Sequence, residues 1–259
     1  IWYGFVHLGK WMWPESHLYV HLGRTSVSFF FMITSFLFIS KLISARDKGF
    51  DFRSFFIGRF FRLFPMYLVT VILVFIAIFA AAGFHPLDSF ITGMKVVFHW
   101  LFFTILSRPL INQSVYTSYA MGVVWSLPYE WLFYFFLPVI GWFMLKKRPS
   151  TLLIIFGLLF FLLFLKTHGF VWYHLLSFAG GAIAPFLMHH EKSRTVAAHP
   201  LTSFAVVISL FLILLFPDPD NIFCILLISF IFTVVALGNS VFGFLRLTAL
   251  KFLGEICYS

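Results

Sequence analysis

The sequence predicts an all-α protein that crosses a membrane many times, and three observations predict it. Of its 259 residues 61% are hydrophobic and only 10% charged, with a mean hydropathy of +1.00. No soluble domain of this size carries that balance without a massively exposed apolar surface. The apolar residues run on for about twenty positions at a time, the length a bilayer core requires. The strands of a closed barrel, the other membrane solution, would alternate instead. Finally, 18 basic residues outnumber 9 acidic ones and stand in short stretches between the apolar runs, where they set orientation. A nucleic-acid surface would gather them on a soluble face.

Ile1 to Gly9 (IWYGFVHLG) reads as the second half of a first apolar span, and the chain stops on LGEICYS without a closing segment. A fragment cut at both ends is expected. Lys10 to Leu22 is a polar, aromatic loop suited to a membrane interface. Ser26 to Ser44 is the second span, and Ala45 to Arg62 the most basic loop, cytoplasmic by the positive-inside rule. Phe64 to Gly83 is the third span. Further spans are Val123 to Leu145, Leu152 to Leu165, Phe170 to Met188, Leu201 to Phe216 and Ile222 to Leu237, separated by KKRPS, KTHG, HHEKSRTVAAHP and PDPDN. That makes eight recognisable spans in one transmembrane domain, 1–259.

Phe90 to Leu106 is apolar but holds Lys95 and His99. If it crosses, Lys146, Lys147, Arg148, Lys192 and Arg194 fall outside and PDPDN inside, against the charge rule. If it dips in and returns, most basic residues share the cytoplasmic side. We therefore expect a re-entrant or interfacial segment, which survives at membrane depth only when buried in protein or lining a cavity.

Candidate functional residues follow from cost. Arg59 and Arg62, three apart in FFIGRFFRLFPMY, share a helix face and can hold a phosphate or carboxylate through paired hydrogen bonds; membrane anchoring is the plainer alternative. Glu130 is an acid inside an apolar run, where a charge costs about 2.5 to 3.5 kcal/mol, so it needs a partner, a proton or water. Pro128 is placed to kink that span, and Trp125 and Ser126 lie one turn from Glu130. His7 can take a proton from an attacking hydroxyl, although a lone apolar-span His also serves packing. Arg24 either snorkels or faces the site. The cysteines, Cys224 and Cys257, offer neither a disulfide framework nor metal spacing, and no His pair has zinc spacing.

Taken in order, these pieces resemble the membrane-bound acyltransferase family 3, the polysaccharide and lipopolysaccharide O-acyltransferases. The resemblance rests on His7 in the first span, the run Gly23 to Leu37 (GRTSVSFFFMITSFL), and Arg59, Arg62 and Pro65. It continues through Trp125, Ser126, Leu127, Glu130, Phe133, Tyr134 and Pro138, and ends on Leu253 to Ser259. Ser26 and Ser35 stand where that family usually has Gly.

The resemblance implies a multi-pass protein of the bacterial inner membrane. It would move an acyl group, most often acetyl, from acyl-CoA on the cytoplasmic side to a hydroxyl of a cell-surface or lipid-linked glycan, with no metal. In that scheme His7 is the general base, Glu130 orients or charge-balances it, and Arg59 and Arg62 hold the CoA. Trp125, Ser126, Tyr134 and Arg24 face the substrates. A transporter or flippase for a lipid-linked glycan is the alternative, since broken helices and intramembrane charges also mark substrate paths; no inverted repeat supports it. A purely structural subunit explains neither Glu130 nor the motif order.

Overall fold

The structure is a computed structural model that describes residues 16–81, 89–114, 117, 124–169 and 171–258. The described residues form ten α-helices, two short 3-10 turns and no strand. By contacts the chain divides into two compact units, residues 1–41 with 172–259, and residues 42–171.

The first unit holds most of α1 (His17–Ser44), then α6 (Trp172–Leu187), α7 (Glu191–Ala198), α8 (Pro200–Leu215), α9 (Ile222–Ala236) and α10 (Thr248–Tyr258). Its core gathers Met32, Ala184, Val206, Ile225, Ile228 and Phe232. Two adjacent glycines bring the helices close, as small residues do where apolar burial alone supplies little drive. A Cβ at Gly181 would stand 2.1 Å from the Met32 carbonyl oxygen on α1, and one at Gly180 would stand 2.1 Å from Ser229 Oγ on α9. The stretch HHEKSRTVAAHP, expected to be loop, is mostly helix α7. It meets α8 at 69°, with Pro200 opening α8 and His199 accepting from the Leu201 N–H. Asn239 fastens this elbow, accepting from Ser203 Oγ at 3.0 Å and donating to the Ala197 carbonyl.

The second unit holds α2 (Phe52–Ala81), α3 (Phe90–Leu101), α4 (Leu127–Met144) and α5 (Thr151–His168). Here the basic loop is shorter than expected. Asp51 accepts from the Ser54 N–H at 3.1 Å, the bond of an N-terminal cap, and α2 runs on for 30 residues, about 45 Å. Arg53, Arg59 and Arg62 are therefore helical, and Pro65 lies inside the helix without ending it. Lys146 on the α4–α5 link pairs with Asp47 at 2.8 Å and donates its N–H to the Arg46 carbonyl at 3.0 Å. That puts residues 45–51 and 146–148 at one basic end, the arrangement the charge-parity argument requires.

The segment after α2 turns back on itself. Helix α3 has 12 residues, about 18 Å, too short for a hydrocarbon core of about 30 Å. Phe103 and Thr104 then take positive φ angles of 56° and 53°, a left-handed turn costly for side-chain-bearing residues. The hairpin is pinned by Tyr67, whose hydroxyl donates to the Trp100 carbonyl, and by Trp100 Nε1, which donates to the Pro109 carbonyl at 3.1 Å. Ile111 and Asn112 return to line the same cavity as Ser89 and Phe90, where the segment began.

Among the described residues four helices are long and apolar enough to cross, α1, α2, α4 and α5, or five if α7 and α8 count as one bent span. The expected eight are not reached. Helices α6, α8 and α9 have only 16, 16 and 15 residues, and Ile1–Gly9 lies outside the described residues.

Candidate functional site

Helix α4 starts at Leu127 with Pro128 in its first turn, where the missing N–H costs nothing. Pro128 therefore opens the helix and does not kink it. Glu130 accordingly sits in the first turn of α4, not deep in a span, where the helix dipole favours a carboxylate. Successive residues point about 100° apart on a helix, so Tyr129 and Glu130 address different neighbours.

Glu130 is 4% exposed and Tyr134, one turn on, 1%. The Tyr134 hydroxyl donates to Glu130 Oε1. It is also hydrogen-bonded to Arg59, and the charges of Arg59 and Arg62 both act on the Glu130 carboxylate. Tertiary packing thus joins four residues that sequence placed in two separate motifs. Arg59 is half-buried and Arg62 exposed, two to three turns into α2. Aromatic rings wall the cluster: Phe55 meets Tyr134 edge-on at 5.5 Å, and Trp131 meets Phe103, at the tip of the re-entrant hairpin, at 5.2 Å. Among the described residues Glu130 Oε2 has no hydrogen-bond partner. A buried carboxylate oxygen left this way is costly, and it is free to accept from a hydroxyl brought by a ligand.

Arg59, Arg62, Glu130 and Tyr134, all in residues 42–171, form a polar cluster in an apolar surround, and the chain carrying it can be compared with known families. A profile for an acyltransferase domain matches residues 1–259. The chain belongs to acyltransferase family 3. No curated protein and no solved structure matches it. The acyltransferase carries its polar cluster among helices long and apolar enough to cross a membrane.

The remaining expected site residues of the acyltransferase are distributed differently. Trp125 is half-buried; its carbonyl accepts from Arg108 Nη2 at 3.2 Å, and its ring meets Tyr129 at 6.3 Å. The Ser126 carbonyl accepts the N–H groups of Tyr129 and Glu130 at 3.1 and 3.2 Å, a helical role. Arg24 belongs to the other unit, where it pairs with Asp218 at 3.4 Å and with Asp220. It is held by two carboxylates of PDPDN. Burial holds the Asp220 carboxyl above its ordinary range, with Arg24 opposing and Asp218 adding. His7 lies outside the described residues. Among the described residues no group of three His, Cys, Asp or Glu is placed to hold a metal ion.

Sequence reading passed over Trp131, Tyr67, Arg108 and His168. The signal for Arg108 was present, an Arg-Pro step directly after the interrupted apolar segment. For Trp131 and Tyr67 nothing in an aromatic-rich sequence distinguishes a wall residue from lipid-facing packing.

Proposed function

We propose that this membrane acyltransferase moves an acyl group, most often acetyl, from acyl-CoA to a hydroxyl of a cell-surface or lipid-linked glycan at the bacterial inner membrane. The observation that carries the reading is the meeting of Arg59 and Arg62 with the buried Glu130 and Tyr134 within residues 42–171. Guanidinium groups suit the phosphates and carbonyls of a CoA ester, and they reach from the half of α2 nearer the basic end.

The chemistry asks little more than placement, because a thioester is already activated. The acceptor hydroxyl attacks the thioester carbonyl and its proton passes to a base, for which His7 is our candidate. Collapse of the tetrahedral intermediate then releases CoA as thiol once it takes up a proton. Glu130 orients the acceptor through Oε2. The Tyr134 hydroxyl is committed to Glu130, so it holds the carboxylate, and Trp125 supplies an apolar face. Stabilisation of the oxyanion falls to the two arginines. Family membership favours this reading over a glycan transporter.

The test is acyl transfer by the full-length protein in proteoliposomes, with mass spectrometry of the acceptor. Arg59→Ala and Arg62→Ala should each abolish transfer while insertion persists, and His7→Ala should abolish turnover yet keep acyl-CoA binding. Full activity in both arginine variants would remove the donor-side role.

A further inference from the structure

The other side of the α4 first turn holds a second polar cluster. Arg108 stands on the return limb of the re-entrant hairpin and is half-buried. Its Nη2 donates to the Trp125 carbonyl at 3.2 Å, while its Nε is buried with no hydrogen-bond partner. Among the described residues no carboxylate pairs with it; the ion pairs there involve Arg24 and Lys146. Its electrostatic neighbours are Tyr129 and His168. His168 is already engaged. It stacks on Phe164 at 4.4 Å, shares a hydrogen bond with Thr167 Oγ1 at 2.8 Å, and is bonded to the backbone of Thr104.

A guanidinium withdrawn from water without a counter-charge is costly. The cost is removed when an anion arrives with its own oxygens aimed at the free N–H groups. Location says which anion it is not. His168 is the last residue of α5, 17 residues after Thr151, so Arg108 lies about 26 Å along α5 from the basic end formed by Arg46 and Lys146. An anion at Arg108 is therefore separate from one held at the basic end.

We propose that Arg108 is an oxyanion site on the acceptor side, which binds a carboxylate or phosphate of the acceptor against the Trp125 and Tyr129 rings. The proposal rests on the acyltransferase reading above and adds that the acceptor is anionic. The same chemistry could be met by a lipid headgroup, and the test separates the two.

Full-length protein in phosphatidylcholine nanodiscs is titrated with glucuronate and with inorganic phosphate, followed by thermal unfolding; a parallel set contains phosphatidylglycerol. Wild type should be stabilised, and Arg108→Gln should weaken the apparent affinity at least tenfold, about the loss of one charge-assisted hydrogen bond. Arg108→Lys, which keeps the charge but not the fork, should fall between. Response to the soluble anions assigns the site to the acceptor. Response to phosphatidylglycerol alone keeps the oxyanion site and assigns it to lipid. In the activity arm, Arg108→Gln should raise KM for a glucuronate-bearing acceptor by a larger factor than for its methyl ester.

Identical responses of wild type and both variants overturn the proposal. Absence of any acyl transfer by wild type would sink the function proposed above, while the binding arm would still read the site.

Discussion

Tyr134→Phe removes one oxygen from the candidate site and little else. The ring remains, edge-on against Phe55 at 5.5 Å and Trp131 at 5.7 Å, so no cavity opens. What disappears is the hydroxyl that donates to Glu130 Oε1 and bonds Arg59. Because Oε2 already lacks a partner, the variant leaves both oxygens of a 4%-exposed carboxylate without a hydrogen bond among the described residues. A hydrogen bond to a charged group is worth about 1.5–3 kcal/mol, and 1.4 kcal/mol is a factor of about ten. If the network is intact in the transition state, kcat/KM should fall roughly 10- to 150-fold. The assay is acyl transfer by the full-length protein in proteoliposomes for Tyr134→Phe, Glu130→Gln and the pair together. Residues acting as a unit are non-additive, so the double variant should fall short of the sum by about 1 kcal/mol or more. Activity of Tyr134→Phe within twofold of wild type, or strict additivity, would refute the coupled network.

Other outcomes follow from the packing and charges. Gly181→Ala places a Cβ 2.1 Å from the Met32 carbonyl oxygen and 2.5 Å from Met32 Cα, backbone atoms that cannot swing aside, and should cost about 1–3 kcal/mol as a lowered melting temperature. Gly58→Ala, on an open helix face, should leave that temperature unchanged or raise it. Arg24→Gln should lose about 0.5–1 kcal/mol at neutral pH, since its ion pair is partly exposed. Asp220 titrates higher folded than unfolded, so its ionised form burdens the folded state above that range and not below it. The Arg24→Gln penalty should therefore shrink as pH falls through the raised range, which urea titrations at several pH values would show. For topology, cysteines at Lys48 and Lys147 should be labelled by an impermeant maleimide from the same face and one at Ser89 from the opposite face; labelling at Lys147 from the face of Ser89 would contradict the re-entrant hairpin.

The sequence alone determined the fold class and the family, and it singled out Arg59, Arg62 and Glu130 as charged residues in apolar stretches. Each of these rests on a quantity that does not need folding: apolar run length, charge between runs, and the cost of a carboxylate or guanidinium in an apolar stretch. Tertiary structure decided what those residues do for one another. Glu130 and Tyr134 are neighbours on any helix, but only the crossing of α2 and α4 brings Arg59 and Arg62 to them. Arg24, which by sequence either snorkels or faces the site, is paired with Asp218 and Asp220. Helix boundaries were likewise illegible, because a cap such as Asp51 and a Pro in a first turn such as Pro128 act through single hydrogen bonds whose partners appear only once the chain is folded.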